Sequence, residues 1–262
     1  MELYCSSKGF CCILSNNLYN EGEYPNAQKA YSKTEFILNE IVSDQNGNII
    51  KTTEKTFSDK KSMDIYQKDK EAKNKESDVT IFTVEPGQTV YSTNYTQIQV
   101  GLSLYKYSSD YYFVAFVYDW LTPPPTTLLD YTHGAVGLGL ESLMSMNGTS
   151  FAGRVTAVLL TSGTVDERTT YNGGLMIKSD SNNAIGYAFS LPYATSDIYG
   201  VISCSAYKGT PATNYCSAFG EYNSINRSIN FNEFSISYPA GISFNVSTTR
   251  ARYTYGDALH LQ

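Results

Sequence analysis

Residues 96–120 read TQIQVGLSLYKYSSDYYFVAFVYDW, and this stretch decides the fold class. Alternate residues of 98–104 are aliphatic, and residues 110–120 are rich in aromatic and β-branched side chains. Such residues at a spacing of two are typical of β-strands. The Ser108-Ser109 turn between the runs predicts that they pair as an antiparallel hairpin.

The sequence after residue 79 continues this pattern. Further β-capable runs are separated by turn residues, at 79–84, 150–161, 174–178, 184–191, 198–207, 233–238, 242–246 and 252–255. No stretch keeps a helical period, which the helices between strands of a parallel sheet would show. We therefore predict an all-β domain over residues 79–262, an antiparallel β-sandwich with a jelly-roll-like arrangement. Gly134, Gly137 and Gly139, within residues 134–143, predict one strand with close backbone approach.

The sequence before residue 79 has a different character. Residues 34–42 and 49–57 flank Asn46-Gly47, a strong hairpin signal, so residues 1–57 are predicted to form an N-terminal segment with a β-hairpin. Residues 51–78 carry 8 lysines and 7 acidic residues, whereas residues 79–262 carry 8 basic and 12 acidic residues. This mixed charge without an apolar period favours a charged linker over residues 58–78, with an exposed helix as the alternative.

Composition and charge exclude several classes of protein. The chain has 262 residues and a net charge of −6, which argues against a nucleic-acid partner because phosphate binding needs clustered lysine and arginine. No apolar run approaches the roughly 20 residues that cross a bilayer, so no transmembrane segment is predicted. A signal peptide is not visible in this chain. The bias toward Ser, Thr, Asn, Tyr and Gly nevertheless favours an extracellular or cell-surface location.

The five cysteines lack the paired spacing of a zinc site, so no metal is predicted. Cys204 and Cys216 lie at equivalent places on two β-like runs that a turn-rich segment, residues 208–211, joins. That placement allows a cross-strand disulfide. Two buried free thiols are the alternative.

Catalytic motifs are weak. Ser150 in a Gly-Thr-Ser turn, with Thr132-His133-Gly134, resembles motifs of subtilisin-like proteases, but 16 residues between His133 and Ser150 are too few for that fold. His260 is the other histidine. Carboxylates that a glycosidase could use have no spacing that fixes a pair, and they are Asp119, Asp130, Glu141, Glu221 and Glu233. The sequence predicts no catalytic residues and no cofactor.

Aromatic side chains crowd the predicted hairpin, at Tyr105, Tyr107, Tyr111, Tyr112, Tyr118 and Trp120. Half of such a stripe must face the core, and the other half is available to stack on sugars or to anchor a protein partner. We predict a binding rim at Tyr118, Asp119 and Trp120, because three prolines at 123–125 would hold the following loop stiffly open. The alternative is that this segment only caps the edge of the sandwich.

One stretch resembles known proteins. Residues 116–130, FVYDWLTPPPTTLLD, resemble a segment of uncharacterised exported proteins of Gram-positive bacteria, and the later runs VISCSA at 201–206 and NYCSAFG at 214–220 follow in a similar order. The resemblance covers the chain from about residue 89 onward. It implies secretion and a β-sandwich, and it carries no catalytic residues.

The sequence thus favours a non-catalytic secreted or cell-surface protein that contacts an envelope, a glycan or a protein partner. A β-pore-forming toxin is the first alternative, because residues 96–107 alternate polar and apolar side chains. A glycoside hydrolase or other hydrolase is the second.

Overall fold

The structure is a computed structural model that describes residues 28–44, 49–78, 92–122, 133–141, 144–146, 151–159, 162–170, 172, 174–181, 183–190, 195–209, 215–225, 234–244 and 250–260. Within these residues the strands are β1 (Gln28–Ser43), β2 (Ile49–Phe57), β3 (Ser92–Lys106), β4 (Tyr111–Thr122), β5 (His133–Leu140), β6 (Met144–Met146), β7 (Ala152–Leu159), β8 (Val165–Thr169), β9 (Met176–Ser181), β10 (Ala184–Ser190), β11 (Thr195–Lys208), β12 (Tyr215–Ile225), β13 (Phe234–Ser237), β14 (Gly241–Phe244) and β15 (Arg250–His260). The described helix is α1 (Lys60–Asp78).

The strands form two layers. The large sheet has the order β2-β1-β3-β4-β11-β7-β8, with β6 also pairing with β11, and the small sheet has the order β15-β12-β5-β10-β9. A two-stranded sheet, β13–β14, is named the cover hairpin here. All of these strand pairs are antiparallel. The predicted all-β class and antiparallel sandwich are therefore confirmed.

The hairpin predicted over residues 96–120 lies near the middle of the large sheet. β3 pairs with β4, so that Val100 lies opposite Tyr118 and Leu104 opposite Val114. Because side chains alternate across a strand, these residues share the face that meets the small sheet. They join a core to which both sheets contribute, and its fully buried aromatic members include Phe116, Tyr118, Trp120, Tyr187 and Tyr222.

The N-terminal hairpin is part of the same sheet. β1 pairs antiparallel with β2, as the sequence predicted, and along its other edge it pairs with β3 from Gln28 to Ser43. The predicted Asn46-Gly47 turn lies outside the described residues. These first strands therefore extend the large sheet instead of forming a unit separate from the strands after residue 79.

Helix α1 occupies the segment that was predicted to be a linker. Asp59 caps its first turn, because the Ser62 N–H donates to Asp59 Oδ1 at 2.8 Å. Met63 is fully buried and anchors the helix on the sheet. A single buried apolar residue among so many charged ones gives no recognisable pattern in the sequence. The alternative of a charged helix is thus the one observed.

Polar contacts hold α1 on the outer face of the large sheet. Gln97 Nε2 donates to Gln67 Oε1 at 2.8 Å, and Lys70 Nζ lies 3.5 Å from Glu40 Oε2. The Lys55 ammonium lies 3.8 Å from the centre of the Tyr66 ring, a cation–π contact. The helix thus covers the β2-β1-β3 part of that face.

The two cysteines for which the sequence allows a disulfide lie in different sheets. Cys204 is on β11 of the large sheet and Cys216 is on β12 of the small sheet, and both are free and buried. Of the two interpretations of the sequence, two buried free thiols is therefore the one observed, because β12 lies in the other layer and does not form a hairpin with β11. Burial raises the pKa of each thiol to about 12.

We expect these two thiols to be inert in the folded protein. At pH 8 a thiol with a pKa of about 12 is ionised to only about one part in ten thousand, and the thiolate is the reactive species. Iodoacetamide labelling followed by peptide mass spectrometry should leave Cys204 and Cys216 unmodified without denaturant and modify both in 6 M guanidinium, the denatured control. Rapid labelling of either cysteine in the native protein would contradict the burial described here.

Candidate functional site

The predicted binding rim at Tyr118, Asp119 and Trp120 is not at the surface. Tyr118 and Trp120 are fully buried between the sheets, and Asp119 points to the opposite face of β4, where it is 1% exposed. The prediction fails because strand alternation sends the two rings into the core. Trp120 packs edge-on against Tyr222, with ring centres 5.5 Å apart.

Buried tyrosines form a polar cluster inside this core. The hydroxyls of Tyr118 and Tyr187 lie 3.1 Å apart, and the Tyr187 hydroxyl lies 2.8 Å from the carbonyl oxygen of Arg154, which accepts from it. Burial raises the pKa of Tyr222 to about 12 and holds the pKa of Tyr118 and of Tyr187 well above the ordinary tyrosine value. These hydroxyls are therefore neutral and act as structural hydrogen-bond partners.

The exposed half of the aromatic stripe lies at one end of the large sheet. Tyr107, which directly follows β3, stands beside Tyr111 on β4 and Tyr207 on β11, with ring centres 5.3 Å and 4.9 Å apart and planes tilted by 32° and 37°. Tyr207 is 47% exposed, and the other two are half-buried. These three residues are named the tyrosine ladder.

Strand pairing fixes the ladder. Tyr207 lies directly opposite Tyr111, and the Tyr107 N–H donates to the Tyr111 carbonyl oxygen at 3.0 Å. The Tyr111 hydroxyl donates to Ser205 Oγ at 2.7 Å. The rings are thus held in place before any ligand arrives, which lowers the entropy lost on binding.

The surroundings of the ladder are mostly small and polar. Ser108, Ser109 and Asp110 are exposed in the turn between β3 and β4, and Ser145 is exposed on β6 directly opposite Tyr207. Tyr107 and Tyr111 were among the residues singled out in the sequence, but Tyr207 was missed. Its place on an alternating run was visible, whereas the pairing of that run with β4, across more than 70 residues, was not.

Asp119 and Glu221, two of the carboxylates considered for a glycosidase, lie on opposite sides of the sandwich. Asp119 faces outward from the large sheet, and Glu221 faces outward from the small sheet, so both layers separate them. Glu221 is fully buried, and its two oxygens accept from Asn223 Nδ2 at 2.7 Å and from the Ile242 N–H at 3.0 Å. Glu141 Oε2 accepts from the Ser217 N–H at 2.9 Å. Asp130, Glu233 and Ser150 lie outside the described residues.

His133 lines a cavity of about 280 Å³ at the end of β5. The other side chains of its lining are mainly apolar, with Leu175, Met176 and Phe189. Burial, and then the nearby Arg168 guanidinium, lower the pKa of His133 below its ordinary value.

Where the chain is described, no three His, Cys, Asp or Glu side chains converge as metal ligands. The described part also contains no helix with the length and apolarity needed to cross a membrane.

Comparisons with known proteins give distant likenesses in structure. No protein-family model matches the chain, and no curated protein matches it. A collagen-binding domain from a Staphylococcus aureus adhesin aligns with 58% of this chain and 89% of its own length, at 7% identity and a TM-score of 0.34. The collagen-binding subdomain of the Enterococcus faecalis surface protein ACE aligns with 55% of this chain and 86% of its own length, at 10% identity and a TM-score of 0.32. A pore-forming protein aligns with 64% of this chain and 88% of its own length, at 4% identity and a TM-score of 0.35.

Surface domains of Gram-positive bacteria thus occur among the similar structures, as the resemblance in sequence implied. All three TM-scores are below 0.5, so the function is inferred from this chain's own residues.

Proposed function

We propose that this protein is a non-catalytic secreted or cell-surface module that binds a glycan through the tyrosine ladder. The observation that carries the proposal is a set of three aromatic rings that strand pairing holds at the surface. Tyrosine rings offer apolar area for the C–H faces of sugars, and their hydroxyls can exchange hydrogen bonds with sugar hydroxyls. Rings fixed in advance make contact at a low entropic cost.

The charges around the ladder favour an uncharged glycan. The exposed turn beside it supplies serine hydroxyls and the carboxylate of Asp110. Lys106 and Lys208, which adjoin Tyr107 and Tyr207 in the chain, are partly buried, so charges of both signs lie near the ladder. The whole chain carries a net charge of −6, which would repel a strongly acidic polysaccharide. A neutral polysaccharide of an envelope or matrix therefore fits this surface better than an acidic one.

Tyr207→Ala should weaken glycan binding about tenfold or more, equivalent to about 1.4 kcal/mol. The loss follows from removing the most exposed ring of the ladder while leaving the core intact. Binding would be measured on an array of neutral and acidic glycans and then by titration calorimetry. Ile65→Ala is the matched control, because Ile65 is 52% exposed on α1, away from the ladder. Equal binding by both variants, or binding only to proteins, would contradict the proposal.

The pore-forming alternative drew on residues 96–107. In the structure β3 contains most of this run and pairs on one edge with β1 and on the other with β4. Residues from Thr96 to Tyr105 are buried. Packing on both faces of the large sheet therefore explains the alternation of polar and apolar side chains in this run. To reach a membrane, β3 would have to leave the core.

A further inference from the structure

Close pairs of tyrosine rings lie in two different environments in this protein. Tyr111 and Tyr207 of the tyrosine ladder have ring centres 4.9 Å apart, and Tyr118 and Tyr222 in the core have ring centres 4.7 Å apart. Both core rings are fully buried, whereas Tyr207 is 47% exposed and Tyr111 is half-buried. A reagent in solution therefore reaches the ladder pair but not the core pair.

Strand pairing keeps the rings of Tyr111 and Tyr207 in contact. The two residues lie directly opposite each other on β4 and β11, a position that places their Cβ atoms about 4.5–5.5 Å apart. The Tyr111 hydroxyl donates to Ser205 Oγ at 2.7 Å, two residues before Tyr207 on the same strand. Aromatic rings at this separation are in van der Waals contact. Joining them therefore needs no large movement of the chain.

Tyrosine rings held in contact can be joined by oxidation. A phenol that loses one electron and its hydroxyl proton becomes a phenoxyl radical, with unpaired density on the ring carbons beside the hydroxyl carbon. Two such radicals form a bond between these carbons. Each bonded carbon then gives up its hydrogen as a proton, and each phenolic oxygen takes up one, so both aromatic rings are restored. The pair has lost two electrons and two protons, which reduce one hydrogen peroxide to two waters.

We propose that Tyr111 and Tyr207 form an oxidative cross-linking site, at which a haem peroxidase with hydrogen peroxide joins them as dityrosine. This inference goes beyond glycan binding and does not depend on it. Tyr107 also stands beside Tyr111, but its ring centre is farther away, at 5.3 Å, and its side chain is less exposed than that of Tyr207. Coupling within one molecule prevails in dilute solution, because a tethered neighbour acts at an effective concentration of about millimolar or more.

The bond would join two distant parts of the chain. Tyr111 and Tyr207 are more than 90 residues apart in sequence, and their strands are neighbours in the large sheet. A cross-link over so long a loop removes many conformations from the unfolded chain. Oxidation at this site would therefore strengthen the sheet against unfolding.

Peptide mapping of the oxidised protein tests the site. The full chain at low micromolar concentration would be treated with a haem peroxidase and hydrogen peroxide in the absence of glycan. We expect the monomer to gain dityrosine fluorescence and to yield one cross-linked peptide pair that joins Tyr111 to Tyr207, two hydrogen atoms lighter than the separate peptides. Tyr111→Phe should lower the fluorescence of the monomer about tenfold or more, since the remaining radicals have no partner at a comparable effective concentration.

Two further variants make the result decisive. Tyr107→Phe is the matched control, because it removes a ladder hydroxyl but leaves the proposed pair, and it should keep the fluorescence of wild type. Tyr207→Phe should lose as much fluorescence as Tyr111→Phe, so the test does not depend on one variant folding. Undiminished fluorescence in Tyr207→Phe would assign the bond to another pair and overturn the inference. Native wild type that gives only cross-links between molecules, or a bond between the core residues Tyr118 and Tyr222, would also overturn it.

Discussion

Trp120→Ala is expected to lower the free energy of unfolding by about 3–5 kcal/mol, the usual cost of truncating a large buried aromatic side chain. Trp120 is fully buried and contacts Tyr222, which belongs to the opposite sheet, so the cavity would open between the two layers. Urea denaturation followed by circular dichroism would measure the loss.

Tyr207→Ala is the control for this experiment, because an exposed tyrosine contributes little to the core. We expect it to change the free energy of unfolding by about 1 kcal/mol or less. If Trp120→Ala kept wild-type stability but lost ligand binding, the original prediction of a rim at Tyr118, Asp119 and Trp120 would be right and the burial described above would be wrong.

Gly220→Ala should destabilise the protein by about 1–3 kcal/mol through overpacking. Gly220 lies on β12 of the small sheet, and a Cβ there would run into the Phe116 ring on β4 of the large sheet. The ring cannot move away easily because it is fully buried. The measurement is again the free energy of unfolding in urea.

A double-mutant cycle tests whether overlap between the new Cβ and the Phe116 ring causes the loss of stability. Phe116→Leu removes part of the ring and should cost stability alone, yet it should recover part of the loss that Gly220→Ala causes. Strictly additive losses would show that the two residues do not compete for the same space. The distance between the two sheets would then be set elsewhere.

The fold class could be predicted from sequence because the alternation of apolar residues in 96–120 follows directly from the geometry of a β-strand, whose side chains point to opposite faces in turn. What alternation does not reveal is which face of a strand is buried. β4 carries aromatic residues on both faces, with Tyr111 and Phe113 on one and Tyr112 and Tyr118 on the other. Which face of β4 is buried depends on packing against strands from distant parts of the chain. The predicted binding rim therefore fell on core residues, and Tyr207 was missed.

Two other errors also have physical reasons. Helix α1 has a single fully buried residue, Met63, among its described side chains, and one apolar anchor in 19 residues leaves no helical period to detect. The pairing of Cys204 with Cys216 assumed that neighbours in sequence are neighbours in a sheet. Instead β11 and β12, which follow one another in the chain, belong to different sheets.

The seam between β4 and β11 has a consequence for how the chain is made. β11 supplies the outer neighbour of β4, but it follows β4 by more than 70 residues. Until β11 emerges from the ribosome, one edge of an aromatic strand is open to pairing with other chains. The large sheet can close only late in synthesis, so its folding rate depends on how fast this distant seam is found.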